Sequence, residues 1–100
     1  MKYYIYYATE ENCFETEKMV SENPIEDVKG ILKDDYLDEE KIGEIAGGMT
    51  VDYSKDGFAI CETESGQGYN ILIGIARHGK CSEITKRISE LRREAIAMCY

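Results

Sequence analysis

Tyr69-Asn70-Ile71-Leu72-Ile73-Gly74-Ile75-Ala76 is a nearly continuous apolar run of strand length, and a run that is apolar on both of its faces predicts a strand inside a sheet. Upstream, Ser65-Gly66-Gln67-Gly68 reads as a turn, and Phe58 to Thr63 as a neighbouring strand. Lys55-Asp56-Gly57 reads as a hairpin turn before that strand. Met49, Val51 and Tyr53 alternate with Thr50, Asp52 and Ser54, the period of a third, half-buried strand. These three strands make a meander. Downstream, Ile84, Ile88, Leu91, Ala95 and Met98 step along one stripe of a helix starting near Ser82, with Glu83 and Arg87 paired on its outer face.

At the N-terminus, Lys2 to Ala8 is apolar or amphipathic on both faces, as in a central strand. Thr9-Glu10-Glu11-Asn12 turns the chain, and Phe14 to Val20 returns as a second strand, with a short helix over residues 13–20 as the competing assignment. Asn23, Pro24 and Glu26 have the order of a helix cap, first position and capping-box carboxylate, so a helix runs from Pro24 to about Asp35 over Ile25, Val28, Ile31 and Leu32. Asp38 caps a second helix with Leu37 and Ile42 at staple spacing, and Gly47-Gly48 ends it. The expected fold is one α+β domain over residues 1–100. Its antiparallel sheet combines an N-terminal hairpin with the three-stranded meander, helices pack on one face, and the order is ββααβββα.

Charge is divided along the chain. Residues 1–65 hold 17 Asp and Glu against 6 Lys, whereas residues 66–100 hold 3 Glu against 6 Lys and Arg, within a total net charge of −8. The densest acidic stretch is Asp34, Asp35, Asp38, Glu39, Glu40 and Glu44, which predicts one negative surface on the helix pair. Such a surface disfavours direct contact with nucleic acid or an anionic membrane and suits a basic protein partner. The 43% hydrophobic content is that of a packed protein despite this charge. No segment reads as a signal or membrane span, which leads to a cytoplasmic expectation.

Cys13, Cys61, Cys81 and Cys99 contain no Cys-x-x-Cys pair, so reduced, mostly buried thiols are expected. Cys81-Ser82-Glu83-Ile84-Thr85-Lys86-Arg87 has a Cys-x5-Arg spacing similar to that of phosphotyrosine phosphatases, but it lacks the glycine of such a loop and places Glu83 where a phosphate would sit. Cys81, His78 and Arg87 are therefore the candidate catalytic residues of a cysteine-dependent enzyme, set against the expectation of no enzyme. His78, Cys81 and Cys61 form an irregular candidate metal set without a recognised spacing, so no metal or cofactor is expected. Ser65-Gly66-Gln67-Gly68 lacks the following helix of a phosphate loop, and the acidic run lacks the ligand order of a calcium loop.

Eight tyrosines are present, four of them at Tyr3, Tyr4, Tyr6 and Tyr7, and each buried hydroxyl will need a partner. The leading expectation is a protein-binding module without catalysis that docks through Asp34, Asp35, Asp38, Glu39, Glu40 and Glu44, with the Tyr53 and Tyr69 region as apolar anchor. In size and charge it is similar to immunity proteins and to phage inhibitors of nucleases or DNA-binding proteins. A structural or homo-oligomeric protein, such as a homodimer through the tyrosine strand, is the alternative.

Overall fold

The computed structural model describes residues 2–98. Strand β1 (Tyr3–Thr9) leads through a short 3-10 turn, Glu10–Asn12, to β2 (Glu17–Ser21). Helices α1 (Pro24–Asp34) and α2 (Glu39–Asp56), strands β3 (Phe58–Glu64) and β4 (Asn70–Ala76), and helix α3 (Ser82–Met98) follow. The four strands form one antiparallel sheet in the order β2-β1-β4-β3. The α+β class, the N-terminal hairpin and the interior place of the apolar run 69–76 are thus as expected. Residues 13–20 follow the hairpin assignment, although pairing starts only at Glu17, because Cys13 and Phe14 both take left-handed backbone (φ 55° and 57°) and delay it.

Two details of the expected order need correction. Residues 49–54 are not a strand but the second half of α2, so the meander has two strands and the sheet four. The alternation of Met49, Val51 and Tyr53 coexists with a helical stripe, Ile42-Ala46-Met49-Tyr53, and burial decides between them. Met49 is 2% exposed while Val51 is 65% exposed, as a helix requires and a strand face forbids. Gly47 and Gly48 together cost about 2 kcal/mol of helix propensity, yet burying Met49 alone returns roughly 1.5–3 kcal/mol. The helix stops at Gly57 instead, whose positive φ of 78° lets its N–H reach the carbonyl of Tyr53 at 2.9 Å.

Helices also cover both faces of the sheet, not one. Ile5, Ile71, Ile73, Ile75 and Ala59 pack with Val28, Leu32, Ile42 and Met49 of α1 and α2. Tyr6, Ala8, Leu72 and Ala76 pack with Ile84 and Ile88 of α3 and with Phe14. The central strands β1 and β4 are apolar on both sides, so each face must be covered. Gly74 permits the closest contact on the α3 side, since a Cβ there would lie 2.7 Å from Ile84 Cδ1.

Local caps divide similarly. The Asp38 carboxylate accepts the Lys41 N–H at 2.8 Å, as its spacing predicts. Asn23 makes no side-chain cap; its own N–H donates to the Ser21 hydroxyl at 3.0 Å, which in turn donates to the Asp27 carboxylate. Gly47 and Gly48 are exposed, and a Cβ at either would meet nothing within 4 Å. Gly47→Ala and Gly48→Ala are each expected to stabilise the fold by about 1 kcal/mol, read as a higher urea midpoint. A lower midpoint for either would show that α2 needs the bare backbone there.

Candidate functional site

The cysteine-centred candidates come apart first. Cys81 is 8% exposed, and its thiol lies 3.4 Å from the Glu83 carboxylate, to which it donates. Burial, reinforced by Glu83, pushes the thiol above its ordinary value despite the start of α3 beside it. A thiol held protonated is a poor nucleophile. Arg87 is not available to an anion either: it makes a two-pronged pair with Glu62 of β3 at 2.7 and 2.8 Å and a further contact with Glu90 at 3.2 Å. This replaces the expected Glu83–Arg87 pair, because Glu62 presents both oxygens to the guanidinium fork. His78 is exposed in the loop before α3. Cys61 packs on the α1/α2 side of the sheet and Cys81 on the α3 side, so His78, Cys61 and Cys81 do not converge. Among the described residues no group of three metal-binding side chains is found. Cys99 lies outside them.

The turn 65–68 has no free N–H groups to offer a phosphate. Gln67 and Tyr69 donate to the Ser65 hydroxyl, each at 3.2 Å, Gly68 donates to the Ser65 carbonyl at 3.2 Å, and Gly66 donates to the Asp35 carbonyl at 2.9 Å. Its function is to clamp the end of α1 onto the sheet.

That clamp rearranges the acidic run. Asp35, expected on the docking surface, is 5% exposed. Its Oδ1 accepts the Tyr69 hydroxyl at 2.7 Å, and the Tyr7 hydroxyl reaches Oδ1 and Oδ2 at 2.9 and 2.7 Å. A carboxylate can be buried when charge-assisted hydrogen bonds replace its water, and here two phenols do so, with no lysine or arginine among its partners. Asp35 is therefore a core residue, turned away from the negative surface on which it was expected. Tyr69, expected as an anchor, is its ligand; Tyr53, likewise expected, stacks edge-on with Tyr3 at 5.8 Å and accepts from Arg77 at 2.9 Å.

The other five run residues, Asp34, Asp38, Glu39, Glu40 and Glu44, are exposed, and none has an ion-pair partner among the described residues. They gather where α1 ends and α2 begins. Glu40 and Glu44 stand on the ridge of α2 opposite its buried residues, while Glu39, Lys29 and Lys33 are among the residues lining the groove between the helices. Between Asp34 and Asp38, Tyr36 has left-handed backbone (φ 66°) and is 61% exposed. No local pattern marks this tyrosine as exposed, since its position follows from the clamp. More carboxylates share this end of the sheet: Glu10 accepts the Asn70 N–H at 3.0 Å, and Glu11 contributes to the field at Tyr69.

Both phenols are harder to ionise than an isolated tyrosine. Burial, then Asp35, raises Tyr7; the hydrogen bond to Asp35, then burial, raises Tyr69 to about 12. A folded-state value above the unfolded value of 10.0 means that the stabilisation is complete below pH 10. It is lost as pH rises toward 12, because the unfolded chain gives up these protons first. The urea midpoint is expected to fall across that window, and Tyr69→Phe to remove part of the fall. An unchanged slope in that variant would contradict the assignment.

No family model matches the chain, and neither curated proteins nor solved structures give a match. No helix among the described residues is long and apolar enough to cross a membrane.

Proposed function

We propose that this chain is a small protein-binding module, of the inhibitor or immunity type, that docks on a basic, nucleic-acid-binding protein surface through the corner between α1 and α2. The observation that carries the reading is the set of five exposed, unpaired carboxylates at Asp34, Asp38, Glu39, Glu40 and Glu44. Neighbouring carboxylates on one helix sit about 5–6 Å apart, close enough to resemble successive phosphates to a Lys/Arg-rich groove. Tyr36 stands among them as an exposed aromatic side chain on a backbone fixed by the 65–68 turn, the type of residue that anchors interfaces. The same reading has no need of direct nucleic-acid or membrane contact, a cofactor or catalysis, and it places the protein in the cytoplasm with its thiols reduced.

The test is capture from native lysate at low salt, repeated at about 0.5 M salt, where screening lengths shrink to a few Å. Proteins retained by the wild type should be basic, released by salt, and lost from a Glu40→Lys/Glu44→Lys variant. Identical capture by wild type and variant would end the proposal.

A further inference from the structure

On the opposite side of the sheet from α1 and α2, a groove of about 450 Å³ opens between the C-terminal half of α3 and the ends of β3 and β4. Apolar and acidic side chains dominate the lining. Phe14, Leu91, Ala95 and Met98 are among the apolar ones, Glu10, Glu62, Glu64 and Glu94 are acidic, and two neutral polar residues, Thr63 and Asn70, complete it; no lysine or arginine takes part. Glu62 is already neutralised by Arg87. Glu10 accepts one backbone N–H, and Glu10, Glu64 and Glu94 have no ion-pair partner among the described residues. Three uncompensated carboxylates therefore surround an apolar lining.

This combination selects an occupant by chemistry. An anion would be repelled by all three carboxylates. A neutral apolar group would cover the lining but strip water from the carboxylates without return. A side chain pair in which lysine or arginine adjoins leucine, isoleucine or phenylalanine satisfies both, its apolar member on Phe14, Leu91 and Ala95 and its charge on Glu64 and Glu94. The volume falls in the range of pockets that enclose a small ligand or a few side chains. Met98, 86% exposed and unbranched, can fold over what enters. Glu10 also ties the groove to the acidic end of the sheet, because Asn70, which it holds, is next to Tyr69 on Asp35.

We infer that this groove takes a short basic and apolar segment of a protein partner, a second point of contact beyond the α1–α2 corner. The inference rests on the protein-binding reading above, and its test separates the two. The probe is a fluorescently labelled hexapeptide of alternating lysine and leucine, compared with versions carrying serine for leucine and glutamate for lysine. The lysine–leucine peptide should bind saturably, the serine version about tenfold more weakly, and the glutamate version not at all. Glu64→Lys with Glu94→Lys should weaken binding about tenfold, while Glu40→Lys with Glu44→Lys changes it less than about threefold. Ala95→Trp, which fills the groove without altering charge, should also weaken it, with circular dichroism showing that each variant is folded.

Equal affinity for the serine peptide, or loss only on reversal of Glu40 and Glu44, would overturn the groove and leave the corner intact. Absence of saturable binding of the lysine–leucine peptide up to about 1 mM, a free energy near 4 kcal/mol, would overturn it as well. The corner reading fails separately, in the lysate capture.

Discussion

Asp35→Ala is expected to lower the unfolding free energy by about 3–5 kcal/mol, the largest effect of any surface-sequence acidic residue in the chain. The carboxylate accepts from Tyr7 and Tyr69, and its removal leaves two part-buried phenol hydroxyls without their acceptor. Each stranded group costs about 1–3 kcal/mol. Against a total stability of about 5–15 kcal/mol for a domain of this size, the loss is visible in a urea titration. Asp35→Asn should cost far less. Its single oxygen, placed at Oδ1, still receives both hydroxyls, and only the charge assistance and the second Tyr7 contact disappear.

The decisive control removes all three polar groups together. Asp35→Leu with Tyr7→Phe and Tyr69→Phe leaves nothing unsatisfied and should recover most of the loss, because a buried polar cluster is costly chiefly when it is half removed. If Asp35→Ala unfolds within about 1 kcal/mol of the wild type, Asp35 is not the buried acceptor described above.

Gly66→Ala is the second large effect, expected to destabilise by more than about 2 kcal/mol. A Cβ on Gly66 would lie 2.0 Å from the Tyr36 carbonyl oxygen and 2.7 Å from its carbonyl carbon and Cβ. Backbone cannot yield as a side-chain tip can, so either the 65–68 turn or the end of α1 must move. Movement breaks the Gly66 N–H contact to Asp35 and pulls Tyr69 from its carboxylate. Gly68 supplies the comparison. Its φ of 93° disfavours alanine, but the nearest atom to a new Cβ is Glu64 Oε1 at 3.7 Å, so Gly68→Ala should cost only about 1–2 kcal/mol. Equal effects at the two positions would show that conformation, and not the collision with Tyr36, governs the turn.

Charge reversal at Glu40 and Glu44 should hardly affect stability, in contrast to both of these. Both side chains are exposed and unpaired, so the main cost is the loss of the favourable Glu40 charge in the first turn of α2, about 0.3–1 kcal/mol. This separation between residues that hold the fold and residues free to meet a partner divides what had been a single acidic run.

Periodicity and end signals made much of the fold legible. The run 69–76 could only be an interior strand, the stripe from Ile84 to Met98 only a helix, and Asp38 with its downstream amide a start to α2. These are local relations, in which a residue's role follows from neighbours within a few positions. The Met49–Ser54 stretch shows the limit, because it satisfies the periods of both a strand and a helix. Local preference favoured a stop at Gly47-Gly48, and burial of Met49 and Tyr53 against the sheet outweighed it.

The candidate site was legible in composition and not in placement. One acidic run looked uniform, yet the fold sends Asp35 inward and leaves Asp34 and Asp38 outside, a few positions away. Asp38 is marked by its capping position, but nothing along the chain distinguishes Asp34 from Asp35. What distinguishes them is the arrival of Tyr7 from β1 and Tyr69 from the start of β4, partners 28 and 34 residues away. Likewise the apolar and acidic groove gathers residues from the first turn, β3 and α3.

The sequence by itself determined that this protein is a packed α+β unit with a strongly acidic first two-thirds, because burial patterns and charge counts are properties of short stretches. Only the tertiary structure decided that helices cover both sheet faces, that Asp35 belongs to the core, and which carboxylates and which tyrosine remain outside. A side chain's surroundings are set by elements distant in sequence, and their arrangement is fixed only when the two central strands have been covered on both sides.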